Sequence, residues 1–173
     1  MGDPMSVEAA TISTLLLGLG NVLLSDDGVG IHVLRALDGP RRARRAGSPL
    51  VLRDGGTLGL NLLMELDGIG ALIVIDAMEL GCAPGTVRAF VGADMDRQLG
   101  GKCRSAHEVA LADLMSAAAL TGTMPALRAL VAVQPASTDW GLAPTDAVGA
   151  AIPEACDVVL ALLEDWDRVP RRH

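Results

Sequence analysis

Tyrosine is absent, and two tryptophans and one phenylalanine make up the whole aromatic content of 173 residues. Aromatic side chains dominate binding hot spots, so their scarcity gives little hint of a hot-spot interface. Cysteine is also sparse. Cys82, Cys103 and Cys156 are odd in number, widely spaced and form no C-x-x-C pair, which speaks against a zinc or thioredoxin-like site and for reduced thiols. Basic charge is outweighed, 14 Lys and Arg against 21 Asp and Glu, for a net charge of −7. Nucleic-acid binding needs a concentrated basic surface, and the one basic cluster, Arg41-Arg42-Ala43-Arg44-Arg45, reads as a solvated loop. Long apolar runs are missing too, although half the residues are hydrophobic and mean hydropathy is +0.39. The longest uncharged run, Ala9 to Ser25, is broken by glycines and an asparagine and falls short of the roughly 20 apolar residues that span a membrane. No basic region precedes an apolar stretch as in a secretory signal. Met1-Gly2 fits a loose myristoylation pattern, but Asp3 and Pro4 follow and no second membrane signal appears. From these absences a soluble, cytoplasmic protein is expected.

What is present is an alternation of short apolar runs with helical patterns, which predicts an α/β fold: a single three-layer domain with a mostly parallel sheet of about five strands and helices on both faces. A chain of this length can bury roughly two-thirds of its unfolded surface in one core. The domain is expected over 14–167, with an N-terminal extension over 1–13 and a frayed tail over 168–173. Strand one is Thr14 to Leu19, a continuous apolar run suited to burial on both sides. A helix from Val29 to Leu37 places Val29, Val33, Leu34 and Leu37 on one face. Strand two is Leu50 to Arg53, closed by the turn Asp54-Gly55-Gly56-Thr57, with a helix from Leu58 to Leu66. Strand three, Ala71 to Ile75, runs into Asp76. The link to Thr86–Val91 is too short for a parallel crossover, so the fourth strand is expected to run antiparallel at an edge. Ser105-Ala106-His107-Glu108 has capping-box spacing and opens a helix to Leu120. Ala126 to Val133 is the fifth strand. Pro144 to Trp166 is helical, with a break or kink expected at Pro153.

Loops leaving the carboxyl ends of parallel strands share one edge, and ligands bind where the winding reverses. Three acids fall there: Asp27 after strand one, Asp54 after strand two and Asp76 at the end of strand three. His107, in the first turn of the capped helix, can close the same site. There the positive end of the helix dipole disfavours imidazolium, leaving a neutral ring able to bind metal. Two carboxylates and one imidazole make a partial shell suited to nickel, zinc or manganese. Taken singly, each residue has a plainer use: Asp26 or Asp27 as a helix cap, Asp54 in an Asx turn, His107 as a surface residue. Their convergence on one edge favours the site. His32 and His173 receive no role, and Cys103 is a weak candidate for a thiol nucleophile.

The stretch from Gly18 to Gly30, GLGNVLLSDDGVG, resembles the opening signature of the hydrogenase maturation proteases. Asp54-Gly55-Gly56-Thr57, Leu72-Ile73-Val74-Ile75-Asp76-Ala77 and Ser105-Ala106-His107-Glu108 resemble three further segments of that family, in the same order. The resemblance implies an endopeptidase that removes the C-terminal extension of a nickel-iron hydrogenase large-subunit precursor after nickel insertion. It implies that Asp27, Asp76 and His107 meet nickel carried by the substrate, with no permanent metal in the enzyme and a monomer pairing transiently with its substrate. For the catalytic role it leaves Asp27, Asp54 and Asp76 as candidates to assist water attack.

Two other readings compete. A dinucleotide enzyme would use Gly18-x-Gly20 and Asp54, but Leu23 stands at the third glycine position and Asp26 and Asp27 would oppose a pyrophosphate. A non-enzymatic nickel chaperone or docking module would use the same three ligands without cutting anything.

Overall fold

The computed structural model describes residues 13–38, 49–56, 60–101 and 105–168. The expected N-terminal extension, the Arg41–Arg45 cluster, Cys103 and the tail beyond Arg168 lie outside these residues. Five strands, β1 (Thr14–Leu19), β2 (Leu50–Gly56), β3 (Ala71–Ala77), β4 (Val87–Val91) and β5 (Leu127–Val133), form one sheet in the order β2-β1-β3-β5-β4. All neighbours are parallel except β4, which pairs antiparallel with β5 at the edge. The winding therefore reverses between β1 and β3, and the carboxyl ends of these two strands open the crevice in which an α/β sheet holds its ligand.

Every residue of β1 and β3 is buried, as their unbroken apolar sequences require. Alternation sends Leu15, Leu17, Leu72 and Val74 to one face and Leu16, Ile73 and Ile75 to the other. The first face is covered by α2 (Ala93–Leu99) and α3 (Ala106–Thr121), the second by α1 (Val29–Leu37) and α4 (Asp146–Arg168). The result is the expected three-layer domain. No helix among the described residues is long and apolar enough to cross a membrane.

Several elements depart from expectation. The helix expected up to Leu66 is present over Leu60–Leu66 and is of the tighter 3₁₀ kind. β2 continues through Asp54 to Gly56, because Gly18 and Leu19 of β1 pair onward with Asp54 and Gly56 across a register shift. α2 was not anticipated: it is a single seven-residue helix that buries only Met95 and Leu99, and Asp96 ties it to Arg128 of β5. Helix α4 runs through Pro153 without a break. Its apolar face, Val148, Ala151, Ala155, Val159 and Leu163, packs on the sheet on both sides of the proline and holds the helix together where one backbone hydrogen bond is lost.

Candidate functional site

The strand alternation that buries Leu72 and Val74 beneath α3 carries Asp76 to the same side of the sheet, at the last turn of β3. α3 begins at that edge. Ser105 is extended and its hydroxyl accepts the Glu108 N–H at 3.1 Å, so half of the expected capping box is present and sets the helix start. His107 lies on the stripe that continues through Leu111, Leu114 and Ala118 and is therefore drawn inward, with only 7% of its surface exposed. Asp27 arrives from the β1 side on a short 3₁₀ turn, Ser25–Gly28. Its Oδ2 accepts the Asn21 N–H at 2.9 Å, which fixes the carboxylate.

The three side chains converge on one nitrogen: Nδ1 of His107 lies 3.7 Å from Oδ1 of Asp27 and 3.7 Å from Oδ1 of Asp76. Both separations exceed a hydrogen bond. Asp76 is fully buried, and both of its carboxylate oxygens, like His107 Nδ1, lack a hydrogen-bond partner among the described residues. Burial pushes the Asp76 carboxyl up to about 6; the imidazole opposes this rise and the Asp27 charge adds to it. The facing Asp76 carboxylate, in turn, holds His107 above its ordinary range against the effect of burial, helped by the charges of Asp27 and Glu108. The helix dipole, expected to favour the neutral imidazole, is therefore not the controlling influence on the ring. Acids from two distant strand ends outweigh the helix dipole, and the ring retains its proton more firmly than a free histidine does.

Above the triad lies a cleft of about 230 Å³ whose walls include Asp27, Glu79, Glu108, Pro135 and Ser137. Among the described residues no group of three or more His, Cys, Asp and Glu side chains is arranged as it stands to hold a metal ion. Two acids face one imidazole, and of these three side chains only Asp27 borders the cleft.

The family profile described as hydrogenase maturation protease matches residues 31–162. The chain belongs to that family. A hydrogenase expression/formation protein of Azotobacter chroococcum mcd 1 is 35% identical over 152 residues, 87% of this chain and 71% of the relative. The hydrogenase 2 maturation protease of Escherichia coli K12 is 34% identical over 162 residues, 91% of this chain and 95% of its own. Among solved structures, the hydrogenase maturating endopeptidase HybD from E. coli matches with a TM-score of 0.80 at 33% identity, over 89% of this chain and 93% of that one. The [NiFe] hydrogenase maturation protease HybD from Thermococcus kodakarensis gives 0.73 at 26% identity, over 87% and 99%. As a hydrogenase maturation protease the chain is a peptidase, and its signature glycines serve packing. A Cβ on Gly20, whose φ is +121°, would lie 1.8 Å from the Asp27 carbonyl oxygen, so the loop bearing Asp27 rests directly on that glycine.

In this protease Asp54 stands apart from the other three candidates. It is exposed, its Oδ1 accepts the Gly56 N–H at 3.0 Å in the turn, and it lines a separate depression with Gly20, Asn21 and Val22. Asp26 has a different use from its neighbour: fully buried, it accepts hydrogen bonds from the backbone of Ala136, Ser137 and Thr145 and from the Thr145 hydroxyl. Burial alone would raise its pKa, but these four donors hold the carboxyl below its ordinary value. Gln134 likewise accepts the Leu80 N–H at 2.7 Å and donates to Glu79 at 3.1 Å, joining two walls of the cleft. The cleft wall at Pro135–Thr138 was missed from sequence. It follows β5 at the same carboxyl edge as the three acids, and the edge rule applied to the fifth strand would have found it.

Proposed function

We propose that this hydrogenase maturation protease removes the C-terminal extension of a nickel-iron hydrogenase large-subunit precursor after nickel insertion, and that Asp27, Asp76 and His107 recognise the nickel carried by that substrate. The observation that carries this reading is the burial of both Asp76 oxygens and His107 Nδ1 without hydrogen-bond partners among the described residues. An unsatisfied buried polar group costs about 1–3 kcal/mol, more when charged, so such a cluster is retained where it meets a ligand during function. A divalent cation satisfies all three at once. Metal bonds of about 2.0–2.2 Å set neighbouring ligand atoms roughly 3 to 3.5 Å apart, so the two carboxylates, each 3.7 Å from His107 Nδ1, would have to close in when nickel arrives.

In this reading the nickel positions the scissile segment in the cleft, and the protein contributes the ligands and a base for water attack. Asp27 is favoured as that base, because it borders the cleft and its side chain keeps 15% exposure, whereas Asp76 is sealed beneath it. Asp54, engaged with Gly56, sits in the neighbouring depression. An Asp54→Asn variant that cleaves at the wild-type rate removes it from the chemistry.

The test is intact mass of a nickel-loaded large-subunit precursor after incubation with the protein, beside a metal-free precursor and a His107→Ala variant. Loss of a C-terminal fragment only with nickel and only with the wild type supports the reading. A matched precursor that binds and keeps its mass overturns it in favour of a nickel chaperone or docking module.

A further inference from the structure

The most exposed aromatic side chain of the described residues stands on a segment that also forms the cleft. Trp140 is 83% exposed, Leu142 79% and Leu23 44%. An isolated parallel bridge joins Leu24 to Gly141, with the Ser25 N–H donating to the Gly141 carbonyl at 2.8 Å and the Gly141 N–H to the Leu23 carbonyl at 3.0 Å. That register sets Leu23 beside Trp140. A Cβ at 141 would lie 2.3 Å from the Ser25 hydroxyl, which would have to rotate away to admit it.

This apolar group is held in place by hydrogen bonds at both ends. The buried Asp26 carboxylate grips Ala136 and Ser137 before it and Thr145 after it, and the Ser137 hydroxyl bonds Asp139 at 3.0 Å within it. A tryptophan exposes roughly 200 Å² of largely apolar surface to water, and exposed clusters of this kind mark interaction sites. Fixing the group in advance reduces the ordering cost of binding. Leu120 and Met64 are also exposed, but they lie on the last turn of α3 and on the 3₁₀ helix, away from the segments that bear Asp27 and the cleft wall.

We propose that Leu23, Trp140 and Leu142 form the docking surface for an apolar patch on the body of the same precursor, beside the segment that enters the cleft; this rests on the protease reading above. The occupant follows from continuity. Leu23 leads within four residues to Asp27, Trp140 lies two residues beyond the wall Pro135–Thr138, and the Leu24–Gly141 bridge joins the two segments, so a protein with its scissile segment in the cleft meets this surface beside it. The low aromatic content noted from sequence therefore concealed one well-placed anchor.

Steady-state cleavage of nickel-loaded precursor by Trp140→Ser and Leu142→Ser is expected to show KM raised about tenfold with kcat within about twofold of wild type. In parallel, the protein is labelled with 5-fluorotryptophan, and Trp166→Phe assigns its two fluorine resonances. Addition of unlabelled precursor should move the Trp140 signal and leave that of Trp166. Cleavage by Trp140→Ser at wild-type KM, or an unmoved Trp140 signal while wild type cleaves, overturns the docking surface. Self-association that Trp140→Ser abolishes gives the patch to a second copy and overturns it as well. A Trp140 shift with no cleavage by wild type sinks the protease reading and leaves the docking surface standing, whereas neither shift nor cleavage overturns both.

Discussion

Asp26 accepts two hydrogen bonds from Thr145 across 119 positions of sequence, 2.6 Å from its backbone N–H and 2.9 Å from its hydroxyl. With the bonds from Ala136 and Ser137 they make this carboxylate the clamp that sets the cleft wall against the turn bearing Asp27. Asp26→Ala leaves three backbone N–H groups without their acceptor. At about 1 kcal/mol or more each, the loss is about 3 kcal/mol, or a Tm lower by roughly 6–12 °C. Because the folded pKa lies below the unfolded value of 3.8, this stabilisation is present above that pH and is lost as pH falls through the folded pKa. Thermal denaturation at pH 7 and pH 3 checks it: the gap between wild type and variant should be narrower at the second than at the first.

Asp76 has the opposite linkage. Its carboxyl is raised from 3.8 to about 6, so the folded state holds the proton more tightly than the unfolded chain does. Stability from this group is complete below 3.8 and is lost as pH rises through about 6. Asp76→Asn removes that loss and should stabilise the metal-free protein at pH 7.5 by up to roughly 3 kcal/mol, with little change at pH 4. Urea unfolding at the two pH values is the measurement. Equal effects at both would mean that Asp76 is not strained by its burial.

The same residues show what could be read in advance. The unbroken runs Leu15–Leu17 and Leu72–Ile75 identify the two central strands because nothing in them needs solvent. Asp27, Asp76 and His107 were legible because each sits at an element end on the sheet's carboxyl edge, a position that topology alone fixes. The difference between Asp26 and Asp27 was not legible. Adjacent and identical, they are distinguished only by partners that the fold brings from 110 to 119 residues away for one and from α3 for the other. The upward pull on the His107 pKa was not legible for the same reason: its capping box is local, whereas the carboxylates facing it are not. α2 escaped because Asp94, Asp96, Arg97 and Gln98 give it almost no apolar periodicity.

Cleavage should depend steeply on pH on the acid side. Metal ligands must be deprotonated, and here both a carboxyl raised to about 6 and an imidazole held above its ordinary range have to release protons before nickel is engaged. The kcat/KM for nickel-loaded precursor should therefore fall below pH 6 by up to about a hundredfold per unit, the limit for two protons. Pre-incubating precursor and enzyme at pH 5.5 before assay at pH 7.5 separates this from acid damage. A flat profile between pH 5 and pH 8 would remove Asp76 and His107 from nickel recognition.

Gly30 and Gly149 both lie within helices, yet alanine should have opposite effects at the two positions. A Cβ on Gly30 would lie 2.2 Å from the Ile75 carbonyl oxygen and 2.4 Å from that of Leu19, backbone atoms at the ends of β3 and β1 that cannot turn aside. The start of α1 has to move off the sheet, at a cost of about 3 kcal/mol or more. Since Asp27 precedes Gly30 by three residues, that movement also draws its carboxylate away from His107. Gly30→Ala should therefore lose cleavage even at temperatures where the protein stays folded. Gly149, near the start of α4, has nothing within 4 Å of the Cβ position, and alanine there should add about 0.5–1 kcal/mol by restricting the unfolded chain, with cleavage unchanged. Thermal denaturation and precursor cleavage on both variants check the pair. A Gly30→Ala protein as stable and active as wild type would mean that α1 does not seat Asp27 through this contact.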